Sequence, residues 1–192
     1  MKKIVLASSS PRRKELFSKL GVPFEVVPSD FNEVLDPKIS PRELAMKLAL
    51  GKARAVTYKF PDAIIIGADT IVADEEGVLG KPKTPEEAGA MLRRLSGKTH
   101  SVFTGFTVMD SKTKKTVSDV CESKVTFKTL DPAEIEKYIV TGEPLEMAGA
   151  YAIQSGAKDL IEKYEGDYNN IVGLPLMLLR HALKLFGIDI VK

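Results

Sequence analysis

Apolar positions along this chain follow two spacings, and each spacing predicts a kind of element. Continuous runs, "KIVLA" at 3–7 and "AIIIGADTIVADEEG" at 63–77, predict strands buried on both faces, the second ending in a turn at 74–77. Spaced apolar positions predict helices: Leu44, Leu48 and Val56 with several alanines form a stripe from Pro41 to about Phe60, and an amphipathic segment runs from Pro175 to Phe186 before Gly187. Between 99 and 127 the β-prone segments "HSVFTGFTVMD" and "TVSDVCESKVTF" flank a Lys-rich turn and predict a long hairpin. A first helix ends at Gly21, before an extended "PFEVVPS" and an irregular acidic "DFNEVLD". Helices starting at Thr84 and Asp131 end near Leu95 and Gly142, and "AGAYAIQ" predicts one more strand. No repeat, low-complexity tract or Pro/Gly/Ser linker divides the chain. The expectation is a single mixed α/β domain over 1–192, with two lobes around a central cleft and an extended, partly antiparallel sheet flanked by helices.

The helix starts differ in one informative way. Proline follows a capping residue at Ser10-Pro11, Ser40-Pro41, Thr84-Pro85 and Asp131-Pro132. Three residues after the cap, the last three starts carry Glu43, Glu87 and Glu134, the spacing of a capping box. The first carries Arg13 there, beside Arg12 and after the serines Ser8–Ser10. Helix N-termini are partially positive and favour acids, so two guanidinium groups, hydroxyls and backbone N–H groups at one spot predict an anion, phosphate above all. A solvated basic turn balanced by Glu15 is the plainer alternative.

Bulk composition narrows the ligand. With 28 basic and 26 acidic residues the net charge is +2, which gives no basis for binding bulk nucleic acid but leaves a small anionic substrate open. One cysteine, Cys121, excludes an intramolecular disulfide framework and a Cys-based zinc site, and alternation makes it a strand residue. His100 and His181 are too few and too separated for a zinc cluster. No signal-peptide pattern or membrane-length apolar run is present, so the cytoplasm is the expected compartment.

Candidate chemistry centres on Asp69, a carboxylate inside the most apolar run. Buried and unpaired it would cost several kcal/mol, on the order set by polar transfer, so it needs a cation, a donor or water. Satisfaction by backbone at a bulge near Gly67 is one answer. A divalent metal, or a water to be deprotonated, is the other, and both suit phosphoanhydride hydrolysis. Glu33 in the acidic stretch is a second carboxylate. Lys81, fixed between Gly80 and Pro82, and Lys52 on a helix are point charges for phosphate, matching a triphosphate with its metal. Gln154 offers an amide donor and acceptor, as a base edge requires, though strand-end glutamines are mostly structural.

In order along the chain, "SSSPRR", "GADTIV", "GKPK", "LSGKTHSVFTG", "AGAYAIQ" and "GDYNNIVGLP" closely resemble the Maf family of nucleoside triphosphate pyrophosphatases. The resemblance implies a Maf/Ham1 (ITPase-like) α/β fold and a house-cleaning hydrolase that splits a nucleoside triphosphate into monophosphate and pyrophosphate with a divalent metal, Mg²⁺ or Mn²⁺. It implies Asp69 as proton acceptor, and Arg12, Thr70 and Gln154 as specificity positions of the subgroup preferring dTTP and UTP. Arg13, Glu33, Lys52 and Lys81 fall where the family has charged cleft residues. On this expectation Ser8, Arg12 and Arg13 hold phosphates, Glu33 and Asp69 share the metal, and Lys52 and Lys81 stabilise the leaving group. Partners would be a small nucleoside triphosphate and, if the chain assembles at all, a second copy in a homodimer, with no membrane. The rival readings are an inosine- or xanthosine-type triphosphate pyrophosphatase on the same fold, and a nucleotide-binding regulator of division that does not hydrolyse. The family's link to septum formation finds no mechanism in these residues. One departure stands out: the family continues Gln-Gly-x-Gly where this chain has Gln154-Ser155-Gly156-Ala157, so Ala157 would be penalised if that backbone needs φ > 0.

Overall fold

The long apolar run forms the central strand. In the computed structural model, which describes residues 2–190, β3 (Ala63–Asp74) lies between β1 (Lys3–Ala7) and β5 (Thr99–Asp110) in a seven-stranded sheet. The order is β2-β1-β3-β5-β6-β7, where β2 is Glu25–Val27, β6 Thr116–Phe127 and β7 Ile161–Glu165. β2, β1 and β3 run parallel; β5, β6 and β7 continue antiparallel, the mixed sheet expected.

Both faces of β3 are covered, which explains its unbroken hydrophobicity. Side chains alternate between them. Ile64, Ile66 and Ala68 pack with Leu16 and Phe17 of α1 (Pro11–Ser18) and with Leu179 and Leu183 of α6 (Leu176–Lys184). On the other face Ile65 meets Ala53 and Val56 of α2 (Pro41–Val56), and Ile71 meets Leu44 and Leu48. A fourth apolar cluster joins Val72, Val125 and Phe127 to α3 (Pro85–Leu95) and α4 (Pro132–Val140). Each large side chain buried in these clusters contributes about 2 kcal/mol from its own removal from water.

Gly67 makes no bulge: β3 holds register up to it with β1 and through it with β5. Its purpose is proximity. A Cβ at Gly67 would stand 2.7 Å from Ala53 N, and one at Gly105 2.6 Å from Met46 N, so the two glycines let α2 lie directly on the sheet.

The sheet also has a gap. On the edge of β3 away from β5, β1 pairs only as far as Gly67, and the short β4 (Gly77–Leu79) pairs from Val72 onward. Among the described residues Ala68–Ile71 therefore have no strand partner on that edge. The opening lies just past the carboxyl end of β1, where open α/β sheets bind their ligands.

Two expectations are corrected. "AGAYAIQ" is not a strand: it forms a 3-10 turn at Ala148–Ala150 and then irregular chain, because Gly149 and Ala150 adopt left-handed φ of 69° and 64°. Its apolar residues are buried against α3 and α4 rather than in a ladder. The capping box at α3 is incomplete, since Thr84 accepts from Glu87 N but the Glu87 carboxylate turns to Lys83 N at 2.7 Å. The boxes at α2 and α4 are closed. Among the described residues no helix is long and apolar enough to cross a membrane.

Candidate active site

A cleft of about 820 Å³ opens at the gap in the sheet. Its volume falls in the range of small-molecule sites. All nine residues singled out from the sequence, Ser8 through Gln154, border it.

Its cationic wall grows from the turn after β1. Ser8 is 4% exposed, and its hydroxyl accepts from Ser10 N at 3.1 Å, which leaves the O–H free to donate. Ser10 caps α1 by accepting from Arg13 N, and no acid stands in that first turn. The two arginines then diverge. Arg12 reaches the Met147 thioether, and burial lowers its pKa against the pull of Glu143 and Tyr138. Arg13 donates from Nε to Gly173 O at 2.9 Å and from Nη2 to Thr70 Oγ1 at 3.0 Å. Desolvation lowers its pKa too, while the charges of Asp69 and Glu33 oppose the shift. Two of its five N–H donors are committed, and the rest remain for an anion.

The hydroxyl of Thr70 is largely spent within the protein. Thr104 Oγ1 gives its single proton to Asn170 O at 2.8 Å, so in the 3.0 Å contact between the two threonines Thr70 must donate. Having also accepted from Arg13, Thr70 keeps one lone pair for a ligand. Asn170 is fully buried and is itself fixed by Thr104 N, Val102 O and Ser123 Oγ.

On the opposite face of β3 stands Asp69. Its side chain is 8% exposed, and its partner is the Lys52 ammonium from α2, which also lies 2.7 Å from Glu33 Oε1. The close seat of α2 on Gly67 brings Lys52 there. One ammonium thus serves two carboxylates, and no third carboxylate, His or Cys completes a protein-only metal cluster among the described residues. Lys81 is exposed on the loop after β4 and makes no ion pair among the described residues. Gln154 is exposed on irregular chain, between the cleft and an adjoining hollow of about 190 Å³ beside Arg12 and Tyr168.

Ala157 raises no strain: it is buried in a 3-10 turn (Gly156–Leu160) and is not a positive-φ position. The left-handed residues lie upstream, at Gly149 and Ala150.

Several wall residues escaped the sequence reading. Met147 meets Arg12, Glu143 acts on it through its charge, and Gly173, in a segment read as an ordinary helix approach, receives Arg13. Gly173 has φ 122°, and a Cβ there would sit 3.2 Å from Thr70 Oγ1, a requirement no local pattern announces. Tyr151 lines the cleft with its hydroxyl bound 2.7 Å from buried His100 Nε2. Burial lowers His100 to about 4.

A family model described as Maf-like protein matches residues 3–186. The chain is 50% identical over 185 residues to the dTTP/UTP pyrophosphatase of Alkaliphilus oremlandii, covering 96% of each. It is 46% identical over 190 residues to the dTTP/UTP pyrophosphatase of Moorella thermoacetica, covering 99% of this chain and 98% of that one. Among solved structures it is similar to the Staphylococcus aureus Ham1 protein, with a TM-score of 0.46 and 16% identity over 66% of this chain and 72% of that one.

Proposed function

The chain belongs to the Maf family, and we propose that it hydrolyses dTTP and UTP to the nucleoside monophosphate and pyrophosphate. One observation carries this reading at the level of the site: a phosphate-type cationic wall and a buried carboxylate border a single cleft at the gap in the sheet.

The free O–H of Ser8, the uncommitted donors of Arg13, and Arg12 would hold phosphate oxygens at the start of α1. Asp69 would take a proton from a water whose oxygen attacks the α-phosphorus. The bond from that phosphorus to the α–β bridging oxygen then breaks, and its electron pair leaves with pyrophosphate. Lys52 and Lys81 would offset the charge on that leaving group. Moving Lys52 onto the phosphates also frees the Asp69 oxygen it occupies, coupling substrate arrival to activation of the base.

The donor set fits a divalent cation brought in with the substrate. Mg²⁺ is commonly held by one or two carboxylates together with substrate phosphates, and Asp69 and Glu33 already converge on one cation, the Lys52 ammonium. Bound there, Mg²⁺ or Mn²⁺ would neutralise charge on the phosphates. Gln154, exposed where the cleft meets the hollow beside Arg12, would read a base edge, and Thr70 would contribute through its one free lone pair and its grip on Arg13.

Pyrophosphate release measured across UTP, dTTP, ITP and XTP, with and without Mg²⁺ or Mn²⁺, tests the proposal. Preference for UTP and dTTP is expected. Preference for the purine nucleotides would overturn the role of Gln154, and metal-dependent binding without product would replace hydrolysis by sensing.

A further inference from the structure

Glu33 sits on segment 28–39, which has neither strand nor helix to hold it. Beyond its ion pairs, Glu33 with Lys52 and Asp36 with Lys47, and the packing of Ile39 near α2, the stretch around Glu33 is flanked by a pair of apolar contacts on two glycines. On one side the Phe31 ring covers Gly51, inside α2: a Cβ there would lie 2.5 and 2.6 Å from ring atoms Cε2 and Cε1. Glycine in a helix interior costs about 1 kcal/mol relative to alanine, and Gly51 is not a positive-φ position, so room for the ring is the remaining reason for it. Phe31 continues from there into the cluster of Leu44, Leu48, Ile71 and Val120. On the other side a Cβ at Gly80 would be 3.3 Å from Leu35 Cδ1, and Gly80 too has no left-handed φ.

The glycines immediately precede the two lysines of the cleft, Lys52 and Lys81. Segment 31–35 therefore runs from the foot of one lysine to the foot of the other with Glu33 at its midpoint, two residues from each anchor. The carboxylate meets Lys52 at 2.7 Å.

We propose that residues 31–35 form a strap seated on Gly51 and Gly80, in which Phe31 and Gly51 are positioning residues that hold Glu33 against Lys52 across the cleft. Only the part Glu33 plays in turnover rests on the pyrophosphatase reading; the seating of the strap does not.

Gly51→Ala tests it. The added methyl must displace the ring, which is the free end of a side chain on a loop, and the helix itself gains propensity. The expected result is a Tm close to wild type, about tenfold faster amide exchange over 28–39 and about tenfold lower kcat/KM, no more than removal of the Glu33 charge itself should cost. Adding Phe31→Leu shortens the ring side and should recover most of both losses. In a Glu33→Gln background Gly51→Ala should lower activity no further, because both changes act through one carboxylate. Wild-type exchange over 28–39 in Gly51→Ala, or a full additional loss in the double variant, overturns the proposal. Exchange is read without substrate, so a wild-type protein that releases no pyrophosphate would defeat the functional reading and leave the strap to be decided by exchange alone.

Discussion

Asp69 and Glu33 bond the same ammonium, yet the protein holds them in opposite ways. Asp69 stands on the central strand with its side chain 8% exposed, under a helix brought close by Gly67, while Glu33 is 49% exposed on irregular chain. The first is fixed by the fold itself. The second is fixed by a ring on a glycine. The floor of the cleft follows the first pattern throughout: Arg13, Thr70, Thr104 and Asn170 form one hydrogen-bonded chain in which the hydroxyl protons have a single consistent direction. A cleft built this way has a rigid base, which fixes the cationic wall and Asp69 relative to each other, and an adjustable side carrying Glu33.

The largest effect should come from the floor. Asp69→Asn keeps the shape but removes the carboxylate proposed as the base, and steady-state kinetics should show kcat lower by about 10³-fold, within the usual span for general-base loss. Nucleotide affinity should change far less, because Arg12, Arg13 and Ser8 are untouched. Near-wild-type pyrophosphate release from this variant would remove Asp69 from the chemistry and erase the contrast with Glu33.

Next in size is an acid effect in the buried layer behind Tyr151. His100 is buried with its ring edge-on to Phe127 and Tyr151, it binds the Tyr151 hydroxyl through Nε2, and Nδ1 has no partner among the described residues. Its pKa is lowered from 6.5 to about 4 because burial opposes the charged ring. A lowered histidine pKa means the unfolded chain binds the proton first as pH falls, so stability declines from about pH 6.5 toward 4. The full loss is about 3 kcal/mol from this ring. His100→Gln should flatten Tm against pH over that window, although protein carboxylates add their own decline at its acid end. An identical slope in the variant would show that the ring is not the sensor. Asp110, held down to about 2 mainly by Lys2, titrates lower still, so its stabilisation is lost only as pH falls below the ordinary carboxylate value of 3.8.

The same contrast explains what the sequence could reveal. Four cap-and-proline helix starts were legible because capping is local, and all four helices are present. β3 was legible because burial on both faces leaves no polar alternation. Asp69 stood out as the exception inside it. By contrast β7, "IEKYE", escaped notice because it is an edge strand, paired only with β6 and mostly exposed. α5 (Tyr168–Val172) is too short to show a period. "AGAYAIQ" misled because apolar residues buried in a loop read like those of a strand. The commitment of the Thr70 hydroxyl and the seating of Phe31 on Gly51 depend on residues far apart in sequence, so no local pattern carries them.

The smallest effect should come from the strap, and it separates placement from stability. Glu33→Gln keeps the size of the side chain and removes its charge, leaving Lys52 to Asp69 alone. A half-exposed ion pair on a surface loop contributes less than about 1 kcal/mol, so Tm should stay within measurement of wild type. Turnover should still fall by about tenfold, because one of the two carboxylates proposed to hold the cation that accompanies the substrate's phosphates is gone. The mirror case is instructive: losing the Asp69 charge leaves the Lys52 ammonium with only the exposed partner, so that variant should lose stability as well as rate. If Glu33→Gln lowered Tm as much as Asp69→Asn, the loop would be part of the rigid base and the division between floor and strap would not hold.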